Sequence, residues 1–299
     1  SLKLTRLNDR TGGSSLSRGT VTAPTSNHAA KTALLCLAAL LAALLYYPVL
    51  TGLFRQWLDD PNYTHGLLIP LVSAFFLFRD REGLRLASGG GREWLGLPLI
   101  ILAAALLVGG TAASELYTTR ISLPIMLMGL ILFLRGAAFA RRAAFPVLFL
   151  MMMVPLPYIV YYKMTFPMQI MSAKLSAGIL KVINVSIIRH GNILLLPGYT
   201  LEVVAACSGL RSLMTMVTLA MIFAAFSPLS PARKILLVVS AVPVAIAANT
   251  IRLVVTALGA YTVGPEFADG PLHELSGLIV FMAGLLLLML SAGVLRWIK

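Results

Sequence analysis

The sequence predicts an all-α polytopic membrane protein of about eight transmembrane helices, with an interfacial amphipathic helix and a short extracytoplasmic β-hairpin. Three observations predict it. Hydrophobic residues make up 59% of the 299 and charged residues only 12%, whereas soluble domains are about 25% charged. The apolar residues fall into serial runs close to the length of a membrane crossing. Lys and Arg recur on alternate connections between those runs. Mean hydropathy is +0.89. A soluble enzyme and a disordered chain are thereby excluded. Two cysteines, Cys36 and Cys207, cannot make a disulfide framework. The net charge of +13 is read as a topology signal, so no nucleic acid is expected as a partner and membrane lipid is.

Residues 1–31 are polar and rich in Ser, Thr and Gly, which predicts a disordered cytoplasmic tail. A transmembrane domain follows over 32–299. Its spans are expected at 32–51, 65–79, 94–112, 121–135, 143–162, 208–226, 234–258 and 275–296. The second and fourth are short and lean on their flanks. Pro155 and Pro157 interrupt the fifth.

Charge sets the orientation. Sixteen of the 24 Lys and Arg fall on one side: the tail, the 79–94 loop, the 135–142 loop, Arg233 and Lys234, and Arg296 and Lys299. Asp59, Asp60, Glu115, Glu202, Glu266 and Asp269 fall on the other. The positive-inside rule puts both termini in the cytoplasm. The stretch 163–205 then lies outside. Lys163, Lys174 and Lys181 share one helical face, which suits an interfacial amphipathic helix. A ninth span is the alternative, and it would break the charge alternation. From Asn192 to Val204, two β-prone runs flank Pro197-Gly198 and predict a hairpin. Its second strand runs into Cys207 at the start of the sixth span.

Three polar residues reach that same membrane face from separate helix ends. Cys207 opens the sixth span. Arg252 lies 17 residues along the seventh, or about 25 Å. His273 precedes the eighth. Each has an ordinary explanation: a small core thiol, a snorkelling cation and a solvated loop imidazole. Together they form a coherent chemical set. A thiolate attacks an amide or ester carbonyl. The free N–H groups of a helix start, at Ser208 and Gly209, lower a thiol pKa and can receive an oxyanion. Arg252 would stabilise the same developing charge, and His273 would carry protons. Arg211, one turn after Cys207, would line this site or sit at the interface. Asn249, one turn before Arg252, would orient the guanidinium or bond to a neighbouring helix. Cys36 sits in a Leu/Ala run and reads as packing.

Other chemistries lack their residues. His273-Glu274-Leu275-Ser276-Gly277 has no second His for a zinc protease. No paired aspartates lie within spans, and no acid falls near mid-span for proton-coupled transport. No metal and no cofactor is expected.

The run Leu201-Glu-Val-Val-Ala-Ala-Cys-Ser-Gly-Leu-Arg-Ser212, then Ala248-Asn249-Thr250-Ile251-Arg252, then His273, resembles the exosortase/archaeosortase family in order and spacing. Tyr63-Thr64-His65-Gly66 and Arg189-His190-Gly191-Asn192-Ile193 also look alike, with Thr64 where the family frequently has Ser. The resemblance covers about residue 40 to the C-terminus. It implies a transpeptidase-like cysteine enzyme of the bacterial or archaeal cytoplasmic membrane, with its active site on the extracytoplasmic face. It implies Cys207, Arg252 and His273 as the catalytic residues. The substrates it implies are exported proteins ending in a short motif, commonly of the PEP-CTERM type, a transmembrane helix and a basic tail. Exopolysaccharide production accompanies the family. Two other readings stand beside it: a hydrolase with the same triad, and a non-enzymatic subunit of envelope polysaccharide assembly or transport.

Overall fold

The computed structural model describes residues 37, 40–87, 93–203, 210–264, 266–269 and 271–297. The chain divides before Tyr46. In the first unit, residues 37 and 40–45 are described, and all are helical. Everything below concerns the second unit.

That unit is helical, with one small sheet. Its helices are α1 (Tyr47–Asp59), α2 (Leu68–Arg79), α3 (Arg81–Leu86), α4 (Gly96–Ala112), α5 (Leu116–Arg135), α6 (Ala137–Phe149), α7 (Tyr158–Val182), α8 (Leu210–Phe226), α9 (Pro231–Thr262), α10 (Glu266–Asp269) and α11 (Pro271–Trp297). Among the described residues, three are long and apolar enough to cross a membrane: α5, α9 and Leu275–Trp297 of α11. A fourth arises if Ala137–Met153 and Tyr158–Val182 count as one span, bent by 79°. Thr64–Arg79, Gly96–Ala112 and Arg211–Phe226 are apolar but shorter. The fourth expected span is longer than its apolar run suggested. Glu115 accepts from the amides of Tyr117 and Thr118 and caps α5 five residues early. The end of the first expected span falls in α1, which extends beyond it to Asp59.

The helices pack as membrane helices do. A Cβ on Gly96 would lie 2.5 Å from the Gly129 carbonyl oxygen, so the α4–α5 contact depends on small residues. One core joins α1, α2, α4, α5 and α6 through Leu53, Trp57, Ile69, Leu107, Met126 and Phe149. A second joins α8, α9 and α11 through Met216, Ala220, Leu237, Ala241 and Leu288.

The segment after the fifth span corrects two expectations. The helix expected from Lys163 starts at Tyr158, directly after the proline break, and runs 25 residues. Its lysines are exposed as expected, but so are Tyr158, Ile159, Phe166, Leu175 and Ile179. Its buried face is Thr165, Gln169, Ser172, Ala173, Ser176, Ala177 and Leu180. The amphipathic pattern is thus inverted: small and hydroxyl side chains face the protein and large apolar ones face outward, as lipid contact demands. The expected hairpin is a three-stranded antiparallel meander, β1 (Ile188–His190), β2 (Ile193–Leu196) and β3 (Tyr199–Glu202). Pro197-Gly198 makes the β2–β3 turn, with Gly198 at φ +80° where an L side chain would be strained. β1 was missed because Ile-Arg-His has no alternating pattern to announce it. Leu194, Leu196, Leu201 and Val203 seat the sheet on α7 and on Leu253 and Ala257 of α9.

Candidate functional site

Arg252 and the start of α11 come together. Arg252 is half-buried on α9. A Cβ on Gly277 would lie 3.7–3.9 Å from its Nε, Cδ and Cζ, so the guanidinium rests on a side-chain-free spot of α11. Gly277 is one turn beyond His273. His273 itself is the third residue of α11, with Pro271 at the first position, where its missing N–H costs nothing. The His273 side chain lies outside the described residues, and so do Cys207, Ser208 and Gly209.

Asn249 and Arg211 can be placed directly. Asn249 is 3% exposed and donates to Ser172 Oγ on α7 at 3.1 Å. Of its two expected roles, the bond to a neighbouring helix is therefore observed. Ser176 donates to the Thr250 carbonyl at 3.3 Å, so the α7–α9 seam carries two polar links among the apolar contacts of Ala173, Ala177, Leu180, Leu253 and Ala257. Arg211 is exposed, and its Nε donates to Asn62 Oδ1 at 3.4 Å. That bond joins the first turn of α8 to the loop before Tyr63.

The chain leading toward Cys207 is also anchored. Val203 is fully buried. Its N–H donates to the Asn192 carbonyl at 2.9 Å, and Asn192 Nδ2 donates to the Val203 carbonyl at 3.2 Å. The hairpin expected from Asn192 to Val204, turning at Pro197-Gly198, sets these two residues opposite each other; the Asn192 side-chain bond is the part that the pattern did not show.

The Tyr63-Thr64-His65-Gly66 run closes a broken helix. After Met153 the chain passes Pro155 and Pro157, which have no N–H. Trp57 Nε1 donates to the Met153 carbonyl at 2.9 Å. The His65 ring lies against the backbone of Met152 and the Tyr63 hydroxyl against that of Leu156. A Cβ on Gly66 would sit 2.4 Å from Trp57 Nε1, so only glycine lets the indole reach its carbonyl.

Beside this run lies a cavity of about 610 Å³, lined among others by Asp60, Asn62, Tyr63, Arg120, Pro157 and Tyr161. It sits where α1 ends and α5 and α7 begin, away from Arg79, Arg135 and Lys234. The Thr118 hydroxyl and amide, with the Tyr117 amide, hold the Glu115 carboxyl at its rim below the usual glutamate range. Among the described residues, no three His, Cys, Asp or Glu gather as a metal site.

A family model described as transmembrane exosortase, Exosortase_EpsH, matches residues 57–290. The match takes in every helix from the end of α1 to most of α11, and with them Arg252 and Gly277. The chain belongs to the transmembrane exosortase family. Neither the curated proteins nor the solved structures gave a match. For this exosortase, family membership and its apolar helices make it a membrane protein.

Proposed function

We propose that this exosortase is a membrane-embedded cysteine peptidase or transpeptidase that cleaves C-terminal sorting signals, of the PEP-CTERM type, from exported proteins. The observation that carries the reading is the Arg252 guanidinium resting at Gly277, one turn from His273. Arg252 thus packs on the helix whose third residue is His273, and Val203, four residues before Cys207, belongs to the same core as Leu253. Chain length alone keeps Cys207 within about 14 Å of Val203.

The chemistry follows from the residue types. The Cys207 thiol gives its proton to His273, and the thiolate attacks the scissile carbonyl carbon. Arg252, with the N–H groups of Ser208 and Gly209, receives the oxyanion. The C–N bond breaks as His273 returns its proton to the leaving amine. The acyl group stays on sulfur as a thioester until an acceptor amine or water, deprotonated by His273, attacks it and releases the thiolate. Arg211 and Asn249 support the site from α8 and α9. Eight segments cross the cytoplasmic membrane in this reading. Both termini lie inside, and the stretch from α7 to Cys207 lies on the extracytoplasmic face.

Trapping tests it. A reporter protein with a Pro-Glu-Pro motif, a transmembrane helix and a basic tail is co-expressed, and the membranes are quenched in acid. A thioester on the peptide containing Cys207 is expected, absent in Cys207→Ala and unchanged in Cys36→Ala. Normal processing by Cys207→Ala would sink the cysteine mechanism.

A further inference from the structure

Arg120 is a charged residue that the mechanism above does not use. It lies one turn into α5 and is 7% exposed. Its Nη1 donates to Gln56 Oε1 on α1, and its Nη2 would lie 4.0 Å from a Cβ on Gly52, one turn earlier on α1. Gln56 is neutral, so it satisfies a hydrogen bond without balancing the charge. Arg120 makes no ion pair among the described residues, where the observed pair is Arg142–Asp80. Glu115, five residues back, attracts it from a distance but forms no ion pair with it, its carboxyl oxygens accepting from the amides of Tyr117 and Thr118. A guanidinium this buried is costly without an anion. It opens on the cavity of about 610 Å³ and on a second of about 320 Å³ behind it.

We propose that Arg120 is a specificity residue of this exosortase, receiving an acidic side chain of the substrate's recognition segment in the larger cavity. The guanidinium fork pairs with a carboxylate through two parallel N–H···O bonds. The walls decide which kind of molecule brings that carboxylate. Tyr63, Tyr117 and Tyr161 present rings, while Gln56 and Asn62 present amides. Rings beside polar groups suit an extended peptide, whose backbone can pair with the Gln56 amide N–H groups and the tyrosine hydroxyls. An acyl chain would strip water from the Arg120, Asp60 and Glu115 charges and put nothing in its place. Asp60 and Glu115 in the lining oppose any anion, and a doubly charged phosphate about twice as strongly as a single carboxylate. Asn62 also accepts from Arg211, four residues past Cys207, so the cavity adjoins the chain that carries the proposed nucleophile. This assignment rests on the peptidase reading only for the source of the peptide.

Binding tests it without turnover. The full chain carrying Cys207→Ala is placed in phosphatidylcholine nanodiscs. It is titrated with fluorescent acetyl-Ala-Pro-Glu-Pro-Ala-amide and with the same peptide carrying Gln for Glu. The Glu peptide is expected to bind about tenfold tighter, the worth of one charge-assisted pair. Arg120→Gln, added to that chain, should bring the two peptides to equal affinity. The Glu-to-Gln change in the peptide serves as the control if Arg120→Gln folds poorly, because it leaves the protein untouched. Equal binding of both peptides, no binding of either, or a preference that survives Arg120→Gln overturns the assignment. So does loss of Glu-peptide binding on adding phosphatidylglycerol, which would give the cation to a lipid phosphate. A preference that disappears with Arg120→Gln, while no reporter forms a thioester on Cys207, would keep this assignment and sink the peptidase.

Discussion

The two halves of the helical unit bury polar groups in different ways. Between Tyr46 and Pro157, a proline break frees backbone atoms that need partners, alongside buried side chains such as Ser73, Ser122 and Arg120. Trp57, Tyr63 and His65 meet those backbone atoms across the bundle. Large aromatic side chains do this work and fill the same core. Between Tyr158 and Trp297 the helices are unbroken at the seam. The buried polar groups are short side chains there, Ser172, Ser176, Asn249 and Thr250, and they sit beside a half-buried Arg252. The first half uses Trp57 to hold a bent chain and also buries the Arg120 guanidinium against Gln56. The second ties α7 to α9 through Asn249 and Ser172 and through Ser176 and the Thr250 carbonyl. The difference teaches that a polar residue in a membrane helix acquires its meaning from what it bonds: a carbonyl at a break is architecture, and a guanidinium at a helix start is a candidate for chemistry.

Arg252→Lys should separate the halves most sharply. Lys snorkels as well as Arg but lacks the planar fork. Loss of an oxyanion donor costs roughly 10²–10³ in rate. Processing of a co-expressed reporter, normalised to enzyme in the membrane, is expected to fall by that much at unchanged abundance. Wild-type turnover would reduce Arg252 to an anchor and erase the contrast.

The opposite outcome is expected at Gly66. Gly66→Ala drives a methyl group into the Trp57 indole, and overpacking of this kind costs about 1–3 kcal/mol. Melting in detergent should drop, and abundance with it, while processing per folded molecule persists. Full stability with lost processing would move the Tyr63–Gly66 run from architecture into the site.

Asn249→Ala should cost about 1 kcal/mol, the usual worth of one hydrogen bond. Its partner makes the test specific. Adding Ser172→Ala to Asn249→Ala should cost less than Ser172→Ala does alone, because the pair is coupled. Strict additivity of the two changes in melting would mean that the 3.1 Å bond holds nothing.

The smallest effect concerns Glu115. Its folded pKa lies below the ordinary value, chiefly through the Thr118 hydrogen bonds. A depressed carboxylate adds stability above its unfolded pKa and loses it as pH falls through the folded one. Wild type should therefore melt above Glu115→Gln at neutral pH, and the gap should close well below the ordinary glutamate range. A gap that persists in strong acid would show that the cap does not depend on charge.

The candidate site was only partly legible in the sequence. The order Cys207, Asn249, Arg252, His273 is a property of the text, and so is the placing of Arg252 near one end of a long helix. Arg252 lying on Gly277 was not legible, because glycine carries no signal of what rests on it. The burial of Arg120 was not legible, because the apolar run that marks its span begins one residue later. Gln56 and Asn62 drew no attention, since each becomes relevant through a partner 64 or 149 residues distant.

By itself the sequence determined the class, the run of apolar helices, the proline break and the Pro197-Gly198 turn. Each of these is set by composition or by residues within a turn or two of one another. The tertiary structure decided which faces are buried. It turned α7 inside out relative to a water-exposed amphipathic helix and added β1 to the sheet. It closed the break with Trp57, and it left Arg120 facing a cavity. The physical reason is the solvent. In water, an apolar stripe marks the buried face of a helix. In lipid, apolar side chains are at home on the outside, so small and polar residues mark the interface, and only packing reveals which of them meet.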